Sequence, residues 1–153
     1  FRSHFLSWSN NLTWRNFDLS VFFRGTFGFD VFNMRKYGMG LQGCGTDNVL
    51  RSAYLEDKNI RTGGGVISSY FLEDGSFIKL ENVTLGYNFT PKNRKLLDNM
   101  RIYLSAKNLF TLTGYSGNDP SIIDVNGIQP GVDSNSAYPT ATQLSLGVTL
   151  RFK

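Results

Sequence analysis

One cysteine, one histidine and four prolines occur in these 153 residues, and no apolar run is long enough to cross a membrane as a helix. Each scarcity removes something. A lone thiol, Cys44, forms no disulfide within the chain, so the cysteines do not report the redox compartment. With His4 as the sole imidazole, no Ser-His pair can be located, and the chain is read as a non-enzyme that calls for no cofactor. The missing runs of roughly 18 or more apolar residues exclude helical spans. No block of like charge stands out behind the net charge of +4, which reads as ordinary surface charge and not as a nucleic-acid signature. There is no initiating Met and no signal peptide. The chain opens on Phe1-Arg2-Ser3 as if already inside a strand, and reads as a piece of something longer.

What is present is phenylalanine, 13 residues of it, in a chain that is 14% aromatic yet has a mean hydropathy of only −0.22. Such a mixture suits strands with one apolar and one polar face, whether in a membrane barrel or a soluble β-sandwich. The arrangement supports strands directly. Leu144, Leu146, Val148, Leu150 and Phe152 alternate with Gln143, Ser145, Gly147, Thr149 and Arg151, the period of two that puts side chains on opposite faces. Near the other end, Leu6, Trp8, Leu12 and Trp14 precede Arg15-Asn16, and Phe17, Leu19, Val21 and Phe23 follow it. A two-residue turn there, with Asn suited to positive φ, sets Trp14 against Phe17, Leu12 against Leu19 and Trp8 against Phe23. Every pair joins apolar to apolar, whereas a turn one residue longer would mismatch them all.

The alternation predicts strands at about residues 3–14, 17–32, 76–89, 99–113 and 140–152. In the third, Val83, Leu85, Tyr87 and Phe89 alternate cleanly while Ile78 and Leu80 sit in the opposite phase, so either a bulge near Glu81-Asn82 reconciles them or the upper part lies beyond the membrane. The fourth carries Met100, Ile102, Leu104, Ala106, Phe110 and Leu112 on one face. The connections run short, long, short, long. The long ones, about residues 33–75 and 114–139, are Gly-rich or rich in Gly, Asp, Asn, Ser and Pro, with a short helix expected at 52–60. A single helical turn is expected after Thr90-Pro91. Tight turns on one side and long loops on the other make the asymmetry of an outer-membrane barrel.

Within that reading, Leu19, Val21, Phe23, Val83, Leu85, Ile102, Leu104, Leu144, Leu146, Val148 and Leu150 face lipid. Arg24, Arg101, Tyr103, Lys107, Gln143 and Arg151 face the lumen. There they either hold water and hydrogen-bond inner elements or guide a hydroxyl-rich or peptide solute. Tyr37, Tyr54, Tyr115 and Tyr138 either offer loop contacts to a substrate or a surface partner or simply pack the loops. Asp119, Asp124, Asn126 and Asp133 are either solvated turn residues or a cation site, since 124–127 is only a fragment of a calcium-loop pattern. The triplet Gly63-Gly64-Gly65 lacks the lysine and the strand-to-helix context of a phosphate loop and reads as a hinge.

Several longer stretches resemble the SusC/RagA family. They are Asn16 through Gly28 with Asp30-Val31-Phe32-Asn33, then Glu73 through Tyr87, then Arg101 through Phe110. Tyr115-Ser116-Gly117-Asn118-Asp119-Pro120, Gly131-Val132-Asp133, Tyr138-Pro139 and the closing Leu146 through Phe152 follow in the same order. The resemblance implies a TonB-dependent outer-membrane importer of oligosaccharides or peptides that works with a SusD-like surface lipoprotein. It implies an all-β chain, an antiparallel meander of about five strands forming the C-terminal part of a transmembrane barrel of roughly twenty-two. The plug and the segment that engages TonB would lie outside it. Lys153 after Phe152 departs from barrels that end on the aromatic itself. The competing expectation is a soluble β-sandwich that binds carbohydrate and buries the Leu144–Phe152 face.

Overall fold

The computed structural model describes residues 4–40, 48–51, 67–91, 97–122, 131–134 and 138–152. The helix expected at 52–60, the glycine triplet, Cys44, Tyr54, Asp124, Asn126 and the turn after Pro91 lie outside these. The chain forms two compact units, residues 5–26, 78–112 and 140–153 in one and 1–4, 27–77 and 113–139 in the other.

The first unit is built on a five-stranded sheet. Its strands are β1 (His4–Trp14), β2 (Phe17–Phe27), β5 (Phe77–Phe89), β6 (Leu97–Thr113) and β8 (Gln143–Phe152), adjacent in that order. Each long strand therefore pairs with the next long strand in sequence, which is an antiparallel meander. The β6–β8 pairing runs from Leu97↔Phe152 to Lys107↔Gln143 and sets Ile102 opposite Val148 and Leu104 opposite Leu146. The first hairpin shows matching contacts. Trp8 and Phe23 rings lie 5.6 Å apart, Trp14 and Phe17 6.5 Å, and Phe17 reaches on to Tyr87 at 4.8 Å. The positive φ in the turn falls on Arg15, at 54°, and not on Asn16. Asn16 serves otherwise: its side-chain amide donates to the Asn88 carbonyl at 2.7 Å, and its own carbonyl accepts from Asn88 N–H at 2.7 Å. The turn is thereby tied to β5.

Within β5 the break in phase falls at Lys79-Leu80, ahead of the Glu81-Asn82 bulge expected from the sequence. Lys79 and Leu80 are consecutive and both buried, Ile78 is exposed, and further on the odd positions Leu85, Tyr87 and Phe89 are exposed. In β6 the regular ladder ends at Lys107. Asn108 has φ 53°, its amide donates to the Ala141 carbonyl at 3.2 Å, and its carbonyl accepts from Thr142 Oγ1 at 2.9 Å. The alternation read through to Leu112 is thus interrupted by a left-handed residue, and Leu109 and Phe110 are both exposed.

The apolar face of this sheet is exposed among the described residues. Leu144, Leu146 and Leu104 are 71%, 75% and 50% exposed. A soluble sandwich buries such rows between two sheets about 10 Å apart. The Leu144–Phe152 face that a sandwich would bury is exposed instead, against that alternative.

The second unit holds most of the buried apolar residues, Val31, Phe71, Phe77 and Tyr115. Gly28, with φ 72°, ends the extended run of β2 two residues before β3 (Asp30–Asn33) begins. The alternation from Phe17 to Val31 therefore spans two strands in different sheets. β3 lies between β4 (Leu72–Asp74), antiparallel with Val31↔Glu73, and β7 (Val132–Asp133), parallel with Phe32↔Val132. Val31 is fully buried and packs with Tyr115 and Phe29. Helix α1 (Met34–Met39) follows β3 directly, because Asn33 Oδ1 accepts from Lys36 N–H at 2.9 Å as its N-cap. Phe32, Tyr37, Phe71 and Tyr70 form a ring cluster beside it. The region from 33 to 75 thus contains regular elements that its lost periodicity does not announce.

Candidate functional site: the polar face of the sheet

Residues directly opposite in an antiparallel pair share a face. The β6–β8 register therefore assembles Arg101 with Thr149, Tyr103 with Gly147, Ser105 with Ser145 and Lys107 with Gln143 into one polar surface. Neighbouring strands join it through hydrogen bonds. Thr84 Oγ1 donates to Ser105 Oγ at 3.1 Å, and Ser105 Oγ lies 3.4 Å from Asn82 Oδ1. Five of the lumen-candidate residues, Arg101, Tyr103, Lys107, Gln143 and Arg151 (opposite Asn99), are thus brought onto one wall.

The centre of this wall is an ion pair that sequence spacing does not reveal. Arg101 makes a two-pronged contact with Asp18: Nε donates to Oδ1 at 3.2 Å and Nη2 donates to Oδ2. Asn88 Nδ2 donates to the same carboxylate at 2.8 Å. Asp18, Asn88 and Arg101 come from β2, β5 and β6, so three strands are tied at one point. A planar guanidinium on a carboxylate is the strongest common side-chain pairing geometry.

Two glycines make the arrangement possible. A Cβ on Gly86 would stand 2.5 Å from both Asp18 carboxylate oxygens, and one on Gly147 would stand 2.5 Å from the Tyr103 hydroxyl. The carboxylate lies over one glycine and the phenol over the other. The Arg101 guanidinium carbon is 5.3 Å from the Tyr103 ring centre, so cation and ring also lie together. Further along, Arg24 Nε pairs with Glu81 Oε2 at 3.2 Å, and the buried Lys79 donates to Thr140 Oγ1 at 2.6 Å. Asp18, Asn88, Glu81 and the two glycines were absent from the sequence-level candidates. The signal for the glycines was their placement inside otherwise clean alternation.

The loop tyrosines separate. Tyr138 is 92% exposed. Tyr115 is not presented to solvent: it is 6% exposed, packs on Val31, and its hydroxyl donates to Asp133 Oδ2 at 2.7 Å. Tyr115 is a core residue of its unit, which corrects the reading of it as a substrate contact. Tyr37 likewise packs on Phe71. Beside them Glu73 gathers four donors, Ser116 N–H at 2.9 Å, Ser116 Oγ at 2.8 Å, Lys36 Nζ at 3.2 Å and Asn33 Nδ2 at 3.4 Å. Partial burial works against its ionisation, but these donors outweigh it and hold the carboxyl below its ordinary range. Burial and the Asp133 carboxylate push the Tyr115 phenol well above its usual value. Of the cation-site candidates, Asp119 accepts from Ser121 N–H and Asp133 from Tyr115. Among the described residues no three His, Cys, Asp or Glu side chains gather as a metal site.

An antiparallel meander with an exposed apolar face, and an opposite face bound together by ion pairs and hydroxyls, has the build of a membrane-barrel wall. Comparison with known proteins agrees. The chain is 26% identical, over 96% of its length, to TonB-dependent receptor P3 of Formosa agariphila, and 28% identical over 94% to TonB-dependent receptor SusC of Bacteroides thetaiotaomicron. It spans 16% and 14% of those two proteins. Among solved structures, it superposes on the RagAB peptide importer in a closed-closed state with a TM-score of 0.70 at 24% identity, covering 90% of this chain and 16% of that one. A second structure of the RagAB peptide transporter gives 0.69 at 25% identity, with the same coverage. No family model matches the chain. In sequence and in fold, this chain is like a segment of the TonB-dependent receptors of the SusC/RagA type.

Proposed function

We propose that this chain is a wall-and-loop segment of a TonB-dependent importer in the outer membrane. It takes up oligosaccharides or peptides with a SusD-like surface lipoprotein. The observation that carries the reading is the pair of opposite faces on one sheet. Leu104, Ile102, Leu144, Leu146, Val148 and Leu150 are exposed, and Leu19, Val21, Phe23, Val83 and Leu85 continue the row, the first four half-buried. In water such a continuous apolar surface is unfavourable, at about 25 cal/mol per Å², whereas hydrocarbon removes the penalty. The other face carries Arg24, Arg101, Tyr103, Lys107, Gln143 and Arg151, hydrogen-bonding and charged groups that belong beside water.

In this reading the wall supplies a lumen surface, and the unit around Val31 and Tyr115 supplies ordered outer structure for lipoprotein and substrate. The plug and its engagement with TonB belong to the remainder of the receptor. The open edges of β1 and β8 pair with further strands, since unpaired backbone groups are not tolerated in lipid. The test is single-cysteine labelling of the full-length receptor in outer membranes. Leu104→Cys and Leu146→Cys should react with a lipid-soluble maleimide and resist a membrane-impermeant one, with Ser105→Cys and Ser145→Cys showing the reverse. Water-soluble labelling of both rows overturns the reading.

A further inference from the structure

From the Asn99–Arg151 pair to the Lys107–Gln143 pair, the polar faces of β6 and β8 carry three cations and no acid. On β6 the face reads Asn99, Arg101, Tyr103, Ser105, Lys107; on β8 it reads Gln143, Ser145, Gly147, Thr149, Arg151. The register places Arg151 opposite Asn99, diagonal to Arg101, and Lys107 at the far end of the pairing. At about 3.3 Å per residue the stripe from Arg151 to Lys107 is about 26 Å long. Its spaces are filled by hydroxyl and amide side chains and by the Tyr103 ring folded over Gly147.

Asp18, from β2, matches Arg101. Lys107 and Arg151 are exposed and form no ion pair with a described residue. Elsewhere on this sheet acids are placed where cations need them, as Glu81 is beside Arg24. Among the described residues the stripe is therefore a surface whose positive charge at both ends is unmatched, with hydrogen-bonding groups between. Charged side chains lining a path select the opposite sign by raising its local concentration.

We propose that the β6–β8 face is a guide for carboxylate-bearing oligomers. Lys107 and Arg151 attract successive carboxylates, and Tyr103, Ser105, Ser145 and Gln143 contact the uncharged parts between. The proposal rests on the reading that this face lines the import path and narrows the cargo within it.

The test uses the purified full-length receptor, with fluorescent oligogalacturonate, oligoglutamate and neutral malto-oligosaccharide as probes. Wild-type receptor should bind an acidic probe more tightly than the neutral one, and the preference should shrink as salt is raised. Lys107→Gln and Arg151→Gln should each weaken acidic-probe binding by up to about fivefold, the range of an exposed ion pair. Lys107→Arg should retain it, and neutral-probe binding should not change. Binding of one acidic probe alone supports the proposal and identifies whether the carboxylates belong to a saccharide or a peptide. No preference for acidic probes, or equal losses for charged and neutral probes, overturns it. The labelling of Ser105→Cys separates the two failures. If that position reacts from water while the charge variants change nothing, only the cargo inference is lost; if it does not, the import-path reading falls first.

Discussion

Tyr115 and Asp133, 18 positions apart in sequence, meet through a 2.7 Å hydrogen bond that closes the only buried cluster around Val31 among the described residues. A buried carboxylate that loses its donor is left with an unmet desolvation penalty. Tyr115→Phe should therefore destabilise the unit by about 1–3 kcal/mol. Hydrogen exchange of the full-length receptor should show faster exchange at residues 114–119 and 131–134, with β6 and β8 unaffected.

The same unit should respond to acid through Glu73. Its carboxyl is held below the ordinary value of 4.5 by Ser116 and Lys36 against the opposing effect of burial. A group with a depressed folded pKa contributes stability that is present above its unfolded value and lost as pH falls through the folded one. Protection at Ser116 and Lys36 amides should thus be constant from neutral pH down to about 4.5 and decline below it. Glu73→Gln should be less protected than wild type at pH 7, with a flatter dependence on acid. Tyr115 shifts the other way. Its raised pKa means that stability is complete below the ordinary phenol value of 10.0 and falls as pH rises above it.

In the sheet, Asp18 is the acceptor on which β2, β5 and β6 converge. Among the described residues, Asp18→Ala leaves the Arg101 guanidinium only the Tyr103 ring as a partner. Hydrogen bonds to charged groups are worth about 1.5–3 kcal/mol, so the full-length barrel should unfold at a lower temperature in a gel-shift assay. Gly147→Val should also destabilise, because its side chain claims the space of the Tyr103 hydroxyl. Adding Tyr103→Ala to Gly147→Val should restore part of the loss, an outcome that a pure backbone effect would not produce.

Lipid facing is tested by charge. Leu104→Arg and Leu146→Arg should each cost about 2–4 kcal/mol in barrel assembly if they sit near the bilayer middle, whereas Lys107→Leu on the opposite face should cost far less. Folded yield in outer-membrane fractions of the full-length receptor measures all three. Equal tolerance would contradict the facing.

How much of this was legible beforehand depends on the range of the interaction. The hairpin around Arg15-Asn16 and the β6 and β8 faces were readable because alternation is a property of adjacent residues, and a register mismatch would cost every pair at once. The same local logic misled at Gly28, where alternation runs on unbroken although a positive φ separates β2 from β3. It misplaced the left-handed residue of the first turn, since Asn16 was needed for its bond to Asn88. It saw nothing of the Glu73 donors, whose carriers lie up to 43 positions away.

The chain's order of apolar and polar side chains was enough to determine five long strands, their pairing with neighbours and which row is oily, because each depends on near positions and on a period of two. Only the tertiary structure decided what those rows meet. It left the Leu and Val row uncovered, folded Asp18 and Tyr103 into the spaces over Gly86 and Gly147, and took Tyr115 inside. Such outcomes rest on which distant groups compete for one small volume, and no local pattern encodes that competition.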